Sequence, residues 1–298
     1  MMERFNRIIY FIVSLLISLL VTACQPAPKK LEKNSMNQPS YSLHFGPQGF
    51  KDFAQHQLNR SESHPSGAGF KTLKFTPPDL GKIRIENGVN GLMIDHVFSV
   101  LGTSFNPEDG IEKLRINSGL NKEEFVTAEY AYQGYVELMK RINQAGWKNY
   151  FIRSMPRIAK EDNLRYLMES GYVIDPSYIF NYEEWQKIIS ESVGNSIGYR
   201  LYANGIFVSI RLKQTKKTED GKEQYIVRYA FETIRYAERN MISDAYKMTP
   251  QGLEHAFKQE VLRAKKSREM DEKEAIEHGY RIDQDYVDPD VWPFVKSS

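Results

Sequence analysis

One cysteine, Cys24, stands in a chain of 298 residues, and it follows directly on an apolar run. No disulfide can form within such a chain, so its stability has to come from a packed core, which a sequence of this length can build. The run extends from Ile8 to Leu20, broken only by Tyr10, Ser14 and Ser18, with Arg4 and Arg7 ahead of it. It falls short of the roughly 20 apolar residues that a membrane span needs. It fits the central part of a cleaved export signal covering residues 1–23.

Val21-Thr22-Ala23-Cys24 resembles the lipobox of bacterial lipoproteins. That resemblance implies lipidation of the Cys24 thiol, cleavage before it and acylation of the new N-terminus. The alternative is a transmembrane anchor with an incidental cysteine. Each buried methylene contributes about 0.8 kcal/mol, and two chains already anchor a protein stably, so a triacylated Cys24 would not leave the bilayer. Gln25 stands where an aspartate would mark inner-membrane retention, so the lipoprotein pattern implies the outer membrane, with the domain in the periplasm.

Loss of residues 1–23 removes Arg4, Arg7 and Glu3, and the formal charge falls from +2 to +1. A nearly neutral chain argues against nucleic acid as a partner and against a polybasic membrane patch. Residues 24–48 are rich in Pro, Lys, Asn and Ser and read as a lipidated tether. Residues 49–240 read as the folded domain, either one unit or two subdomains meeting near residue 120. Residues 241–298 read as a C-terminal helix and tail.

Strands and helices are expected in separate groups, which predicts an α+β fold: antiparallel hairpins packed with several helices and a long C-terminal surface helix. Residues 59–69 read as a loop. Alternation at Lys82-Ile83-Arg84-Ile85, the Asn87-Gly88 pair and the return from Leu92 to Val100 predict a hairpin. Phe105 to Asn117 reads as an irregular connection or a short helix. Helical spacing predicts a helix over 121–146, capped by Asn121 with Glu124 three residues on. Shorter helices are expected over 161–170 and after Asn181. Tyr199–Tyr202 and Ile206–Leu212 should pair across Asn204-Gly205, followed by a charged loop over 213–222 and a strand from Glu223. Thr249-Pro250 should open a final helix, with Leu253, Phe257, Val261 and Leu262 as its apolar face.

No residue pattern commits the chain to catalysis, and a non-enzymatic protein without cofactor or metal is expected. Gly194-Asn195-Ser196-Ile197-Gly198 matches the nucleophile elbow G-x-S-x-G, with Asp220, His255 and His278 as nominal partners. The elbow requires a strand before it and a helix after it, the reverse of the order expected here. The six histidines lack metal-ligand spacing. Asp283, Asp285, Asp288 and Asp290 lack the glycine and closing glutamate of a calcium loop. Arg and Tyr interleave from Tyr225 to Arg239, as strand alternation produces anyway.

Three segments carry a second resemblance. They are Gly146-Trp147-Lys148-Asn149-Tyr150 with Pro156-Arg157; Asp175-Pro176-Ser177-Tyr178 with Glu184-Trp185; and Tyr202-Ala203-Asn204-Gly205-Ile206-Phe207. In this order, over residues 80–231, the chain resembles lipoproteins encoded beside type VI secretion effectors, which act as periplasmic immunity proteins. The resemblance implies an effector, a phospholipase-type toxin by preference, as the protein partner, and neutralisation by occlusion. The rival reading is a non-enzymatic envelope assembly lipoprotein. Loops on a rigid scaffold commonly carry recognition, so the contact candidates are Asp109 and Glu112 in one connection and Lys216, Lys217, Glu219 and Asp220 in another.

Overall fold

Period-two alternation turns into strands through most of the chain, and the strands join in one sheet. The structure, a computed structural model, describes residues 40–56, 60–63 and 68–296. The Val21–Cys24 segment that resembles a lipobox lies outside the described residues. In chain order the elements are β1 (Ser40–Leu43), α1 (Pro47–Ala54), β2 (Arg60–Ser63), β3 (Gly69–Lys74), β4 (Gly81–Ile85), β5 (Leu92–Ser104) and β6 (Lys113–Gly119). Then come α2 (Ala128–Gln144), β7 (Lys148–Asn149), α3 (Asn163–Ser170), β8 (Tyr172–Val173), α4 (Tyr182–Glu191), β9 (Ser196–Ala203), β10 (Ile206–Lys217) and β11 (Glu223–Thr233). The chain continues through α5 (Ile234–Arg239), α6 (Pro250–Glu277) and α7 (Trp292–Lys296).

The sheet runs β1-β4-β5-β6-β11-β10-β9-β7. β3 continues the β4 edge along the second half of β5, and β8 lies beside β9. Pairings are antiparallel except β1 with β4 and β8 with β9. This mixed, mostly antiparallel sheet with helices packed on it is the expected α+β class.

Local signals placed several elements as the sequence predicts. Asn181 and Glu184 form a reciprocal capping box at α4. Gly171 ends α3 in the left-handed region, and Thr249 caps α6 ahead of Pro250. Asn204 and Gly205 both have positive φ, 40° and 80°, the geometry of a type I′ hairpin turn. That turn meets the earlier hairpin, since Asn87 Nδ2 donates to Ala203 O at 3.0 Å and Asn204 Nδ2 to Asn87 Oδ1 at 3.2 Å.

Elsewhere tertiary pairing changes the reading. The long helix starts at Ala128, not Asn121, because Val126 exchanges two backbone hydrogen bonds with Glu223 and holds that stretch extended. Thr127 supplies the cap, and Asn121 Nδ2 donates instead to Tyr130 O. The Phe105–Asn117 connection contains most of β6, whose buried positions include Leu114 and Ile116 while Lys113, Arg115 and Asn117 occupy the opposite face. β10 continues through Lys217, which confines the charged turn to residues 218–222. The polar leading segment ends earlier than Gln48, as β1 pairs with β4 from Ser40. Residues 60–63 pair with β3 where a loop was expected. Leu262 points away from the α6 apolar face and is 54% exposed.

The core lies between the sheet and α2 with α4. Trp185 stacks on Tyr135 with ring centroids 4.7 Å apart, and both are buried. Tyr199 and the Phe180 backbone each donate to the Tyr135 hydroxyl, and burial pushes that phenol well above its ordinary pKa. Trp147 Nε1 donates to Asn90 O at 3.0 Å, and Asn90 Nδ2 to Ala145 O at 2.8 Å, which fixes the end of α2 against the first hairpin.

Candidate interaction surfaces

The contact candidates fall at opposite ends of β11. Asp109 and Glu112 sit beside the Thr233 end, and Lys216, Lys217, Glu219 and Asp220 beside the Glu223 end. At about 3.4 Å per residue the two groups are roughly 30 Å apart, too far to form one small patch.

Glu112 is not available to a partner. It is 1% exposed and accepts hydrogen bonds from the Phe105 and Asn106 backbones, Asn106 Nδ2 and the Tyr246 hydroxyl. Its carboxylate gathers the 105–112 loop, a role that satisfies buried donors. Asp109 is committed in the same way, pairing with Arg235 at 2.9 Å. At the other end Lys217 pairs with the buried Glu223 at 3.2 Å, and Lys216 lies over the Phe125 ring. Asp220 accepts from Thr218 and pairs with Lys222, which closes the turn. Glu219 is exposed at its tip.

Ser196 does not stand on an elbow. It opens β9 after α4, is 2% exposed, and accepts from Arg211 Nη1 at 2.9 Å. Its nominal partners do not gather around it: His255 and His278 lie near opposite ends of α6, about 35 Å apart at 1.5 Å per residue. His44 pairs with Asp52, and His96 occupies a β5 irregularity with φ 57°. His64 lies outside the described residues. The tail carboxylates serve their own chain. Asp283 accepts from the Asp285 and Tyr286 backbones, Asp288 holds Arg268, and Asp290 accepts from the Trp292 backbone.

The tertiary structure brings together residues that the sequence leaves dispersed. A cleft of about 710 Å³ has Trp147, Phe151, Ile174 and Tyr202 in its walls. Lys148, Asp175 and Ser177 also line it, and the tail residues Asp285, Tyr286 and Val287 close one side. Parts of all three segments that carry the second resemblance therefore meet at one opening. Val287 is 83% exposed there, on the rim of the cleft. Tyr286 packs edge-on to Phe151 at 4.9 Å.

A second groove of about 480 Å³ runs between α5, α6 and the loop after β7. Tyr150, Ile152, Phe207 and Met241 give it an apolar lining, and Arg153 pairs with Glu238 inside it. Burial lowers the Arg153 pKa from its ordinary value, opposed by Tyr150 and Asp288. Tyr150 stacks on Phe207 at 4.3 Å, so this groove has a rigid aromatic floor.

A concave surface with aromatic walls and a mixed-charge rim can bury a partner's side chains and exclude water around them, the arrangement common at strong interface anchors. A scan of protein-family models, a search of curated proteins and a search of solved structures return no match to this chain.

Proposed function

We propose that this chain is a lipid-tethered binding protein of the bacterial periplasm that neutralises a type VI secretion effector by occlusion. The observation that carries the reading is the convergence of Trp147-Lys148-Asn149, Asp175-Pro176-Ser177 and Tyr202 on one cleft. These residues come from the segments that resemble immunity lipoproteins; Trp147, 2% exposed, shapes the wall, and Lys148, Ser177 and Tyr202 offer the accessible surface for recognition. The lipobox at Cys24 supplies the address. A tether at the bilayer would hold the inhibitor where a lipid-degrading toxin acts, which favours a phospholipase-type partner.

The test is co-expression with the product of the adjacent open reading frame. The full chain is expected to co-purify with that product, suppress its activity and protect the cell. Ser177→Arg with Val287→Arg, both at exposed positions on the cleft rim, should weaken the complex by about tenfold or more. No binding and no protection by the wild-type chain would refute the reading. Full protection by the double variant would remove the cleft as the contact surface.

A further inference from the structure

The sheet face turned away from the Trp185 core carries a concentration of positive charge that the near-neutral composition conceals. β6, β11, β10 and β9 are adjacent, and their registers place Arg115, Arg228, Arg211 and Arg200 on that face, with Lys213 beside them. Arg228 stands directly opposite Arg211, Arg115 is one diagonal step from Arg228, and Arg200 is one from Arg211. Arg115, Arg228 and Lys213 are exposed, and Arg200 and Arg211 are half-buried. Among the described residues none of these five cations pairs with a carboxylate. The one outward carboxylate in the regular registers of these strands, Glu232, pairs with Lys113 at 3.1 Å.

Like charges placed directly across strands destabilise a sheet, so the fold maintains this cluster against its own repulsion. Tyr172 fixes part of it. Its ring lies over Gly198, with the Arg200 guanidinium 3.5 Å from its centroid and that of Arg211 4.8 Å away. Burial pushes the Tyr172 phenol up, but the two guanidinium groups outweigh it and hold the pKa below its ordinary value. The cations are thus partly preorganised rather than freely solvated.

We infer that this open sheet face is the docking site for an acidic, carboxylate-rich surface of a protein partner. The inference deepens the binding role proposed above and rests on it. Charge complementarity selects the sign of the occupant. The predominance of arginine selects planar, two-pronged recognition of carboxylates over diffuse attraction. Ser209, Asn117 and Ala230 between the cations are small or neutral and leave Arg115 and Arg228 accessible, while Arg200 and Arg211, held on Tyr172, add their charge from beneath. No large apolar side chain of these strands is exposed on the face, whereas a membrane-inserting surface presents such residues.

The full chain in phosphatidylcholine nanodiscs should capture a fluorescent Asp/Glu-rich peptide, measured by anisotropy, and release it as salt rises. Arg115→Glu with Arg228→Glu should weaken capture by about tenfold or more. The milder Arg115→Gln with Arg228→Gln should weaken it less, and Lys258→Glu on α6 should leave it unchanged. Absence of capture by the wild-type chain, or capture by both double variants equal to that of the wild type, overturns the inference. Phenylglyoxal labelling read by mass spectrometry separates the occupants. If phosphatidylglycerol discs shield Arg115 and Arg228 and the peptide does not, the face meets a membrane and the inference fails. The adjacent gene's product discriminates the two proposals. Equal inhibition by wild type and Arg115→Glu/Arg228→Glu would sink this face and keep the immunity role. Arginine-dependent peptide capture with no binding of that product would do the reverse.

Discussion

Around Tyr135 and Trp185 the sheet and its helices meet through rings and aliphatic side chains. Along the second half of α6 the contact is made chiefly by guanidinium and carboxylate groups. Arg268, 7% exposed, donates to both Asp288 oxygens and to the carbonyls of Met155 and Ile152. Arg157 grips Glu272 with its guanidinium and its backbone N–H, and Arg281 grips Asp162 in the same manner. Arg165 donates to the carbonyls of His278 and Gly279 at the helix end. The first half of α6 packs Leu253 and Phe257 inward, with Trp292 against Phe257, while in the second half Ala275 alone joins an apolar cluster, that of Phe151, Ile158, Ile174 and Tyr280.

The two kinds of contact do different work. Apolar burial has no required partner geometry and contributes in proportion to area. A partly buried ion pair offsets much of its Coulomb gain by desolvation, so it fixes position more than it adds stability. Removing one member, however, leaves the other uncompensated. The long helix is therefore registered on the body largely by a few charged residues, while loss of volume in the core costs both transfer energy and a cavity.

Truncation in the core should have the largest effect. Trp185→Ala, at 1% exposure, is expected to cost about 3–5 kcal/mol in urea unfolding, read as a shift of the global transition. A cost below about 1 kcal/mol would show that the region is not the cooperative centre.

Arg268→Met should cost about 2 kcal/mol, below the range for fully buried pairs because Asp288 is one-third exposed. Its signature is local: amide hydrogen exchange should accelerate over residues 260–277 and stay unchanged in β9 to β11. Uniform acceleration would abolish the distinction between the two regions.

Acid should act on the same helix. Burial raises the Glu272 carboxyl, but hydrogen bonds from Arg157 more than offset it and leave the pKa below the ordinary value. Asp162 is lowered chiefly by its hydrogen bond with Arg281. For carboxyls depressed in the folded state, the stabilisation is complete above their unfolded pKa of about 4 and is lost as pH falls through the folded value. Exchange near residues 268–277 is therefore expected to rise below about pH 4 before the core responds. Simultaneous loss of both regions would count against the comparison.

The smallest effect tests the cationic face. Arg228→Gln removes a like-charge cross-strand pair with Arg211 and should raise stability by a few tenths of a kcal/mol, more at low salt. A clear destabilisation would mean that Arg228 supports the fold rather than waits for a partner.

Local rules made much of the frame legible. The Asn204-Gly205 turn, the Asn181/Glu184 capping box, the Gly171 stop and the Thr249-Pro250 start each depend on a few neighbouring residues. β6 carries the same period-two alternation as Lys82–Ile85, in Lys113-Leu114-Arg115-Ile116-Asn117, but no two-residue turn signal such as Asn87-Gly88 marks its pairing with β5, and its other partner, β11, lies far along the chain. The start of α2 was misplaced for a related reason, since a backbone bridge to Glu223 overrides the capping signal at Asn121. Among the site candidates, Glu112 looked like an available surface charge because no local pattern reveals that Asn106 and Tyr246 will enclose it.

The sequence by itself determined the α+β class, the hairpin turns and most helix boundaries in the second half of the chain. It also carries Val21-Thr22-Ala23-Cys24, whose resemblance to a lipobox underlies the proposed tethered role. Those properties follow from short-range periodicity, turn chemistry and order along the chain. Tertiary structure alone decided that Trp147, Asp175 and Tyr202 line one cleft, that Glu112 is buried, and that Arg115, Arg228, Arg211 and Arg200 share one face. Which strands become neighbours depends on the apolar area and backbone hydrogen bonds gained when distant segments meet, and no local pattern encodes that choice.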